Sequence, residues 1–290
     1  MHCNRDPQTG FAESDADAAD QRRVVIPVAV RMPPVARSLG ILGLAGSAAQ
    51  RLLDLCYPGV CAACEVFCDS SGPLCADCDR KLAVLEQNQA CAMCAMPLTQ
   101  QGDPCPWCRG KGLYPFKQII RLAIFDEPLK NLIHRAKYHD RWPLAEVLAD
   151  RLARRPQAQS LLASADRLIP IPLYFRRHHQ RGYNQADVIA RRLKHLCGKR
   201  VSHALARTRN TSSQTELHSH RAREENVRNA FALTSESSIR GKHIVIIDDV
   251  MTTGATLQSA GRELLKGKPA SLSALVLAIA DPKGRDFQSI

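Results

Sequence analysis

Aromatic residues are scarce: Trp, Tyr and Phe make up 5% of the 290 residues. Few side chains can serve as stacking platforms, which argues against a tight or sequence-selective grip on unpaired bases. Long apolar runs are missing too. No stretch approaches the ~20 residues that a membrane-crossing helix needs. The opening "MHCNRDPQTGFAESDADAADQRR" lacks the apolar centre of a secretion signal. A cytoplasmic protein without membrane insertion is therefore expected. Acidic residues are the third deficit: 28 Asp and Glu face 40 Lys and Arg, a formal net charge of +12. Such an excess suits a polyanionic partner, whether nucleic acid, a phosphorylated sugar or a pyrophosphate. An ordinary basic surface accounts for it equally well.

Cysteine, by contrast, is plentiful. Of the twelve, eight form C-x-x-C pairs: Cys61/Cys64, Cys75/Cys78, Cys91/Cys94 and Cys105/Cys108. Two units share one plan, C-x2-C, ten residues, C-x2-C, which is an internal repeat. A thiolate pair on a tight turn holds half of a tetrahedral zinc, and two such turns close a site with no open position. Two structural zinc ions are thus expected. The simplest grouping is by unit, with a cross-braced pairing left open. Redox C-x-x-C is the rival reading. Cys56 and Cys68 are spare thiols near the first unit. The ribbon segment is itself poor in Lys and Arg, so docking or architecture is its expected role.

Residues 1–35 read as a disordered extension, polar and Ala/Asp-rich. A short apolar helix follows over 36–55, then the double ribbon over 56–112, in which "DRKLAVLEQN" is a helical turn. From 113 to 290 the pattern changes. "IIRLAIF" alternates like a strand. Leu129, Leu132, Ile133 and Ala136 recur at helical spacing, as do Leu144, Val147, Leu148 and Leu152. "RLIPIP" is a short strand, and a helix follows over Asn184–Leu196. Ile244–Ile247 reads as a buried strand, Thr256–Leu265 as a helix and Leu272–Ile279 as another buried strand. Strands alternating with helices imply an α/β fold, a mostly parallel sheet covered on both faces.

The chemistry concentrates in "IVIIDDVMTTGAT". A strand ending in Asp248 and Asp249 brings two carboxylates to the carboxyl edge of the sheet, where open α/β folds bind ligands. The loop Thr252, Thr253, Gly254, Ala255, Thr256 leads into a helix whose first N–H groups and dipole favour an anion. Gly254 allows close backbone approach, and the threonines add hydroxyls. The carboxylates suit sugar hydroxyls or magnesium. The ligand that fits is a ribose 5-phosphate with vicinal hydroxyls. Each half of this pattern is common alone, since acidic strand ends are often only solvated. Their combination is the signal.

At these residues the chain resembles the type I phosphoribosyltransferases, whose mark is an apolar run, two acidic residues and a T-T-G-x-T loop. With "RRHHQRGYNQADVIARRL", "KYHDRWPLAEVLADRL" and "RTRNTSSQTELHSHRAREENVRNAF" it is similar to the ComF family, over about Tyr57 to Asp281. That family is associated with competence for DNA uptake and joins a double zinc ribbon to a phosphoribosyltransferase domain. The resemblance implies that Asp248 and Asp249 hold the ribose hydroxyls of phosphoribosyl pyrophosphate and that 252–256 hold its 5-phosphate. It places the diphosphate, with magnesium, beside a short loop carrying Arg176, Arg177 and Arg181, which could otherwise be a solvated basic loop. Lys137 reaches phosphate. Gln214, Arg221 and Asn226 belong to a loop that closes over the site to exclude water.

Two functions compete. One is transfer of phosphoribosyl to an unnamed acceptor. The other is a non-catalytic module that senses a nucleotide while Arg176, Arg177, Arg181, Arg191, Arg192, Lys194 and Arg200 engage single-stranded DNA. Proteins of the competence machinery are further expected partners. No segment declares itself as a nucleobase hood.

Overall fold

The computed structural model describes residues 59–68, 72–98, 105–137, 141–210, 227, 229–236 and 238–280. The N-terminal extension, the helix expected over 36–55, Cys56, Gln214, Arg221 and Asn226 lie outside these residues. In chain order the elements are α1 (Ala76–Gln87), β1 (Ile119–Ile124), α2 (Leu129–Lys137), α3 (Pro143–Ala153), α4 (Pro156–Ser164), β2 (Arg167–Pro170), α5 (Phe175–Arg181), α6 (Gln185–Cys197), β3 (Arg200–Val201), β4 (Leu205–Arg207), β5 (Phe231–Leu233), β6 (His243–Met251), α7 (Ala255–Leu265) and β7 (Ser271–Ile279).

Five strands form one sheet in the order β1-β7-β6-β2-β3. Every neighbouring pair in it is parallel. β4 and β5 make a separate antiparallel pair. The long strands read as unbroken apolar runs because both faces are covered. On one face Val245, Ile247 and Leu275 meet α2, α3, α4 and α6. On the other Ile244, Ile246 and Ala274 meet α7 and the β4–β5 pair. Helix starts follow local chemistry. Pro143 and Pro156 open α3 and α4, and the Asn184 side chain caps α6 by accepting from Ala186 N at 3.1 Å. Gly198 ends α6 in the left-handed conformation.

The two cysteine units repeat in space as in sequence. Each is closed by one antiparallel bridge, Val60↔Phe67 and Ala90↔Pro97. The first packs into the core on the α2 side of the sheet and the second into the core on the α7 side. Between them α1 packs on the edge strand β1. That contact explains why β1 is buried at all six positions although its sequence alternates. Arg121, the polar member of the alternation, lies under α1 and donates to Gln89 O at 3.0 Å. No helix among the described residues is long and apolar enough to cross a membrane.

Candidate functional site

β2 pairs with β6 as far as Pro170↔Ile247, and Ile171 N donates to Ile247 O at 2.9 Å. β6 then runs on to Met251, paired only with β7. The acidic pair therefore sits inside a strand that outruns its neighbour, not at a strand end as the sequence suggests. The chain passes from β2 to β3 on one side and from β6 to β7 on the other, so the strand order reverses between β2 and β6. Ligands of open α/β sheets bind outside the carboxyl ends at such a point. The side-chain alternation of a strand sends the two carboxylates to opposite faces. Asp249 turns toward α2 and Asp248 toward the β4–β5 pair.

One carboxylate has a direct ion pair, and the other feels cations at longer range. Lys137, the last residue of α2, holds Asp249 Oδ2 at 2.8 Å. The end of that helix is fixed from α6 and the turn before it: Tyr183 Oη and Gln185 Nε2 both donate to Ala136 O. Asp248 accepts from Asp249 N at 2.9 Å and feels Arg207 from β4. Burial and the Asp249 charge push Asp248 up to about 7, more than Lys137 and Arg207 lower it. Arg207 is held below the usual guanidinium range by burial and by Arg177, with Asp248 opposing. It stands over the Phe231 ring, 5.4 Å from the centroid. Arg207, Tyr183 and Gln185 escape a reading by motif. The available signals were a basic residue ending an apolar strand and a Gln at the start of an amphipathic helix.

The loop 252–256 carries α7 on Gly254, whose φ of 79° is left-handed. A Cβ there would stand 2.5 Å from Leu113 Cδ2. The glycine is thus favoured by its left-handed conformation, beyond any need to admit a phosphate, and a Cβ would also make the end of the Leu113 side chain move. Thr253 is buried, and its Oγ1 accepts from Ala255 N at 3.3 Å, tightening the turn. Thr252 and Thr256 keep partial exposure.

The arginines after β2 are not in a loop. Phe175–Arg181 is a seven-residue helix with no buried residue, closed by left-handed Gly182. Arg176 is exposed; Arg177 and Arg181 are half-buried. Arg181 Nη1 lies 3.4 Å from Gln185 Oε1. Two other members of the expected basic patch are paired. Arg192 makes a forked contact with Asp150 at 2.6 and 2.8 Å, and Arg191 meets Asp187 at 2.8 Å. The patch is thinner than its sequence.

Comparison with known proteins places this geometry. The phosphoribosyl transferase domain family matches residues 179–289, the stretch that holds β6, its acidic pair and the loop. DNA utilization protein YhgH of Salmonella typhimurium is 34% identical over 226 residues, covering 75% of this chain and 96% of its own. Competence protein F of Haemophilus influenzae is 29% identical, covering 67% of this chain and 84% of its own. Competence protein ComFC of Bacillus subtilis is 40% identical over 112 residues, covering 38% and 43%. The chain belongs to the ComF family.

Two groups of sulfurs complete this ComF-family protein. Cys61, Cys64, Cys75 and Cys78 converge, as do Cys91, Cys94, Cys105 and Cys108, each with all ligand atoms within 4.8 Å. Grouping follows the unit rather than a cross-brace. Facing sulfurs lie 3.8, 3.7 and 3.6 Å apart for Cys64/Cys75, Cys91/Cys108 and Cys94/Cys105. A tetrahedral zinc with bonds of about 2.3 Å sets sulfurs about 3.8 Å apart, so the donor set fits. Burial pushes the Cys78 and Cys94 thiols up, with neighbouring sulfurs adding to it. Four thiolates so close need a cation between them. Cys75 Sγ also accepts from Cys78 N and caps α1. Cys68 stands outside the group, and Cys197 donates to Leu193 O within its helix.

Proposed function

We propose that the protein binds phosphoribosyl pyrophosphate with magnesium at the carboxyl edge of the sheet, transfers its phosphoribosyl group to an acceptor, and acts in DNA uptake. One observation carries this: an acidic pair overhanging the switch point, flanked by Lys137 and Arg207, continues into a loop at the N-terminus of α7. Asp248 and Asp249 take the ribose hydroxyls. Thr252, Thr253, Gly254, Ala255 and Thr256 wrap the 5-phosphate, through backbone N–H groups and the hydroxyls of Thr252 and Thr256. Arg176, Arg177 and Arg181 of α5 face the diphosphate, and Gln214 and Arg221 close over it. The carboxylates with the diphosphate oxygens are the hard donors that magnesium takes, and the ion offsets the charge of the leaving group. The C1–oxygen bond breaks with its electron pair leaving on diphosphate, and the acceptor's lone pair attacks C1. Fixed cations aimed at the departing oxygens favour that charge distribution.

Each group of four cysteines holds one structural zinc, and the ribbon over 56–112 docks and supports the transferase domain over 113–290. Cysteines grouped for metal rather than for disulfides suit a cytoplasmic protein. Titration calorimetry tests the reading. Phosphoribosyl pyrophosphate with magnesium binds the wild type, and Asp249→Asn weakens it roughly tenfold, about the worth of one charge-assisted hydrogen bond. Equal affinity in both proteins contradicts the site. Diphosphate release over a panel of acceptors then separates enzyme from sensor.

A second reading has its own support. Phe175 is 77% exposed and stacks on His179 at 6.3 Å between centroids, beside exposed Arg176. A bare aromatic among cations suits single-stranded DNA, and the name of one relative, DNA utilization protein, speaks of DNA.

A further inference from the structure

The first cysteine unit reaches the acidic pair through a single helix. Asn131 Nδ2 donates to Ala63 O at 3.3 Å, and Arg135 Nη1 donates to Ala62 O at 2.7 Å. Arg135 Nη2 also pairs with Glu65 Oε1 at 2.9 Å. Those acceptors belong to the turn that carries Cys61 and Cys64. Asn131 and Arg135 are four apart on α2 and share one face, so both reach the same knuckle. Two residues beyond Arg135, Lys137 holds Asp249 at 2.8 Å.

We infer that Asn131 and Arg135 are positioning residues, which tie the metal knuckle to α2 and so fix Lys137 opposite Asp249. This rests on the reading of Asp249 as a ligand contact. A helix of nine residues is marginal alone, and its place is set by what it packs against. Its apolar side, Leu129, Leu132, Ile133 and Ala136, holds it to the core, and Tyr183 and Gln185 hold its C-terminal end at Ala136 O. The polar contacts at 131 and 135 fix the remaining face, the one toward the knuckle. They act where the chain is already stiffened by the thiolate cluster. Lysine carries large rotamer entropy. A fixed stem lowers the cost of holding its ammonium on a carboxylate, and lets the same group turn to an incoming phosphate without moving the helix.

The full-length, zinc-loaded protein serves for the test, with Arg135→Ala and the milder Asn131→Ala. Without ligand, amide exchange at Ala136, Lys137, Asp249 and Val250 is expected to quicken at least fivefold. Exchange in β1 and β7 and the zinc content stay at wild-type values. Changes confined to residues 61–65, or an even acceleration across the sheet, overturn the inference. With ligand, Arg135→Ala weakens phosphoribosyl pyrophosphate–magnesium about fivefold, but adds less than twofold once Lys137→Met is present, because it acts through Lys137. Additive losses overturn it. A wild type that fails to bind the ligand ends the proposed function instead, and the exchange measurements still decide the strut.

Discussion

Asp248→Asn should make the ligand-free protein more stable at pH 8, and the gain should fade on acidification. The native Asp248 carboxyl is pushed from 3.8 up to about 7 by burial and by Asp249. Its folded pKa lies above its unfolded one, so the folded state binds the proton more tightly. Stability from this group is highest below about pH 4, falls through the window from 4 to 7, and is flat above it. A shift of about three units, at about 1.36 kcal/mol each, sets a ceiling near 4 kcal/mol. Relaxation, partial solvation and sharing of the proton with Asp249 bring the expected gain to ~1–3 kcal/mol. Asparagine keeps an oxygen to accept from Asp249 N, now at 2.9 Å, and removes only the charge. Urea unfolding of both proteins from pH 4.5 to 8 reads the difference, in which zinc–thiolate titration cancels. A difference that does not vary with pH would falsify the placement of this carboxyl.

Other outcomes follow from the same geometry. Metal analysis of protein prepared without chelator should give about two zinc ions per chain; a value of none removes the structural-zinc reading. Gly254→Ala should cost ~1–2 kcal/mol, because φ of 79° is left-handed and the new Cβ meets Leu113. Leu113→Ala in the same chain should recover only the contact part; full recovery would show that φ does not matter. Single-stranded DNA should bind modestly, with affinity falling roughly tenfold over a few-fold rise in salt, and Phe175→Ala should weaken it. Binding indifferent to salt, or to Phe175, leaves the small-molecule site alone.

The strands and helices with strong periodicity were legible from sequence because burial alone determines them. The helices over 129–137, 143–153 and 185–197 and the strand pair 243–251 and 271–279 differ from expectation only at their ends. The cysteine pairs were legible from their spacing, but their grouping by unit rather than across units came only from the fold, which brings the sulfurs together. Helix α5 was not legible, since it has no apolar face and rests on its flanking turns. Nor was the overhang of the acidic pair, which depends on β2 ending before β6 does, a fact of pairing rather than of composition. The basic patch is thinner than its sequence because Arg192 meets Asp150 of α3, a contact made only by the fold, whereas the Arg191–Asp187 pair, four apart on α6, was open to a reading by helical spacing. Arg207 became a site residue only through the β4–β5 pair.

The position of β1 sets the order in which this protein can be completed. β1 has one strand neighbour among the described residues, and that neighbour is β7, the last strand made. On the ribosome, the second knuckle and the first strand emerge long before the surface they rest on exists, whereas the first knuckle meets α2 soon after. Long-range closure of this kind is slow and leaves apolar and thiol groups uncovered in the meantime. Eight clustered thiols would be free to cross-link during that interval. Metal captured at the knuckles as they emerge would hold the sulfurs out of reach and present β1 in register when Ser271–Ile279 arrives. The second knuckle is then among the first parts to form and the last to be docked.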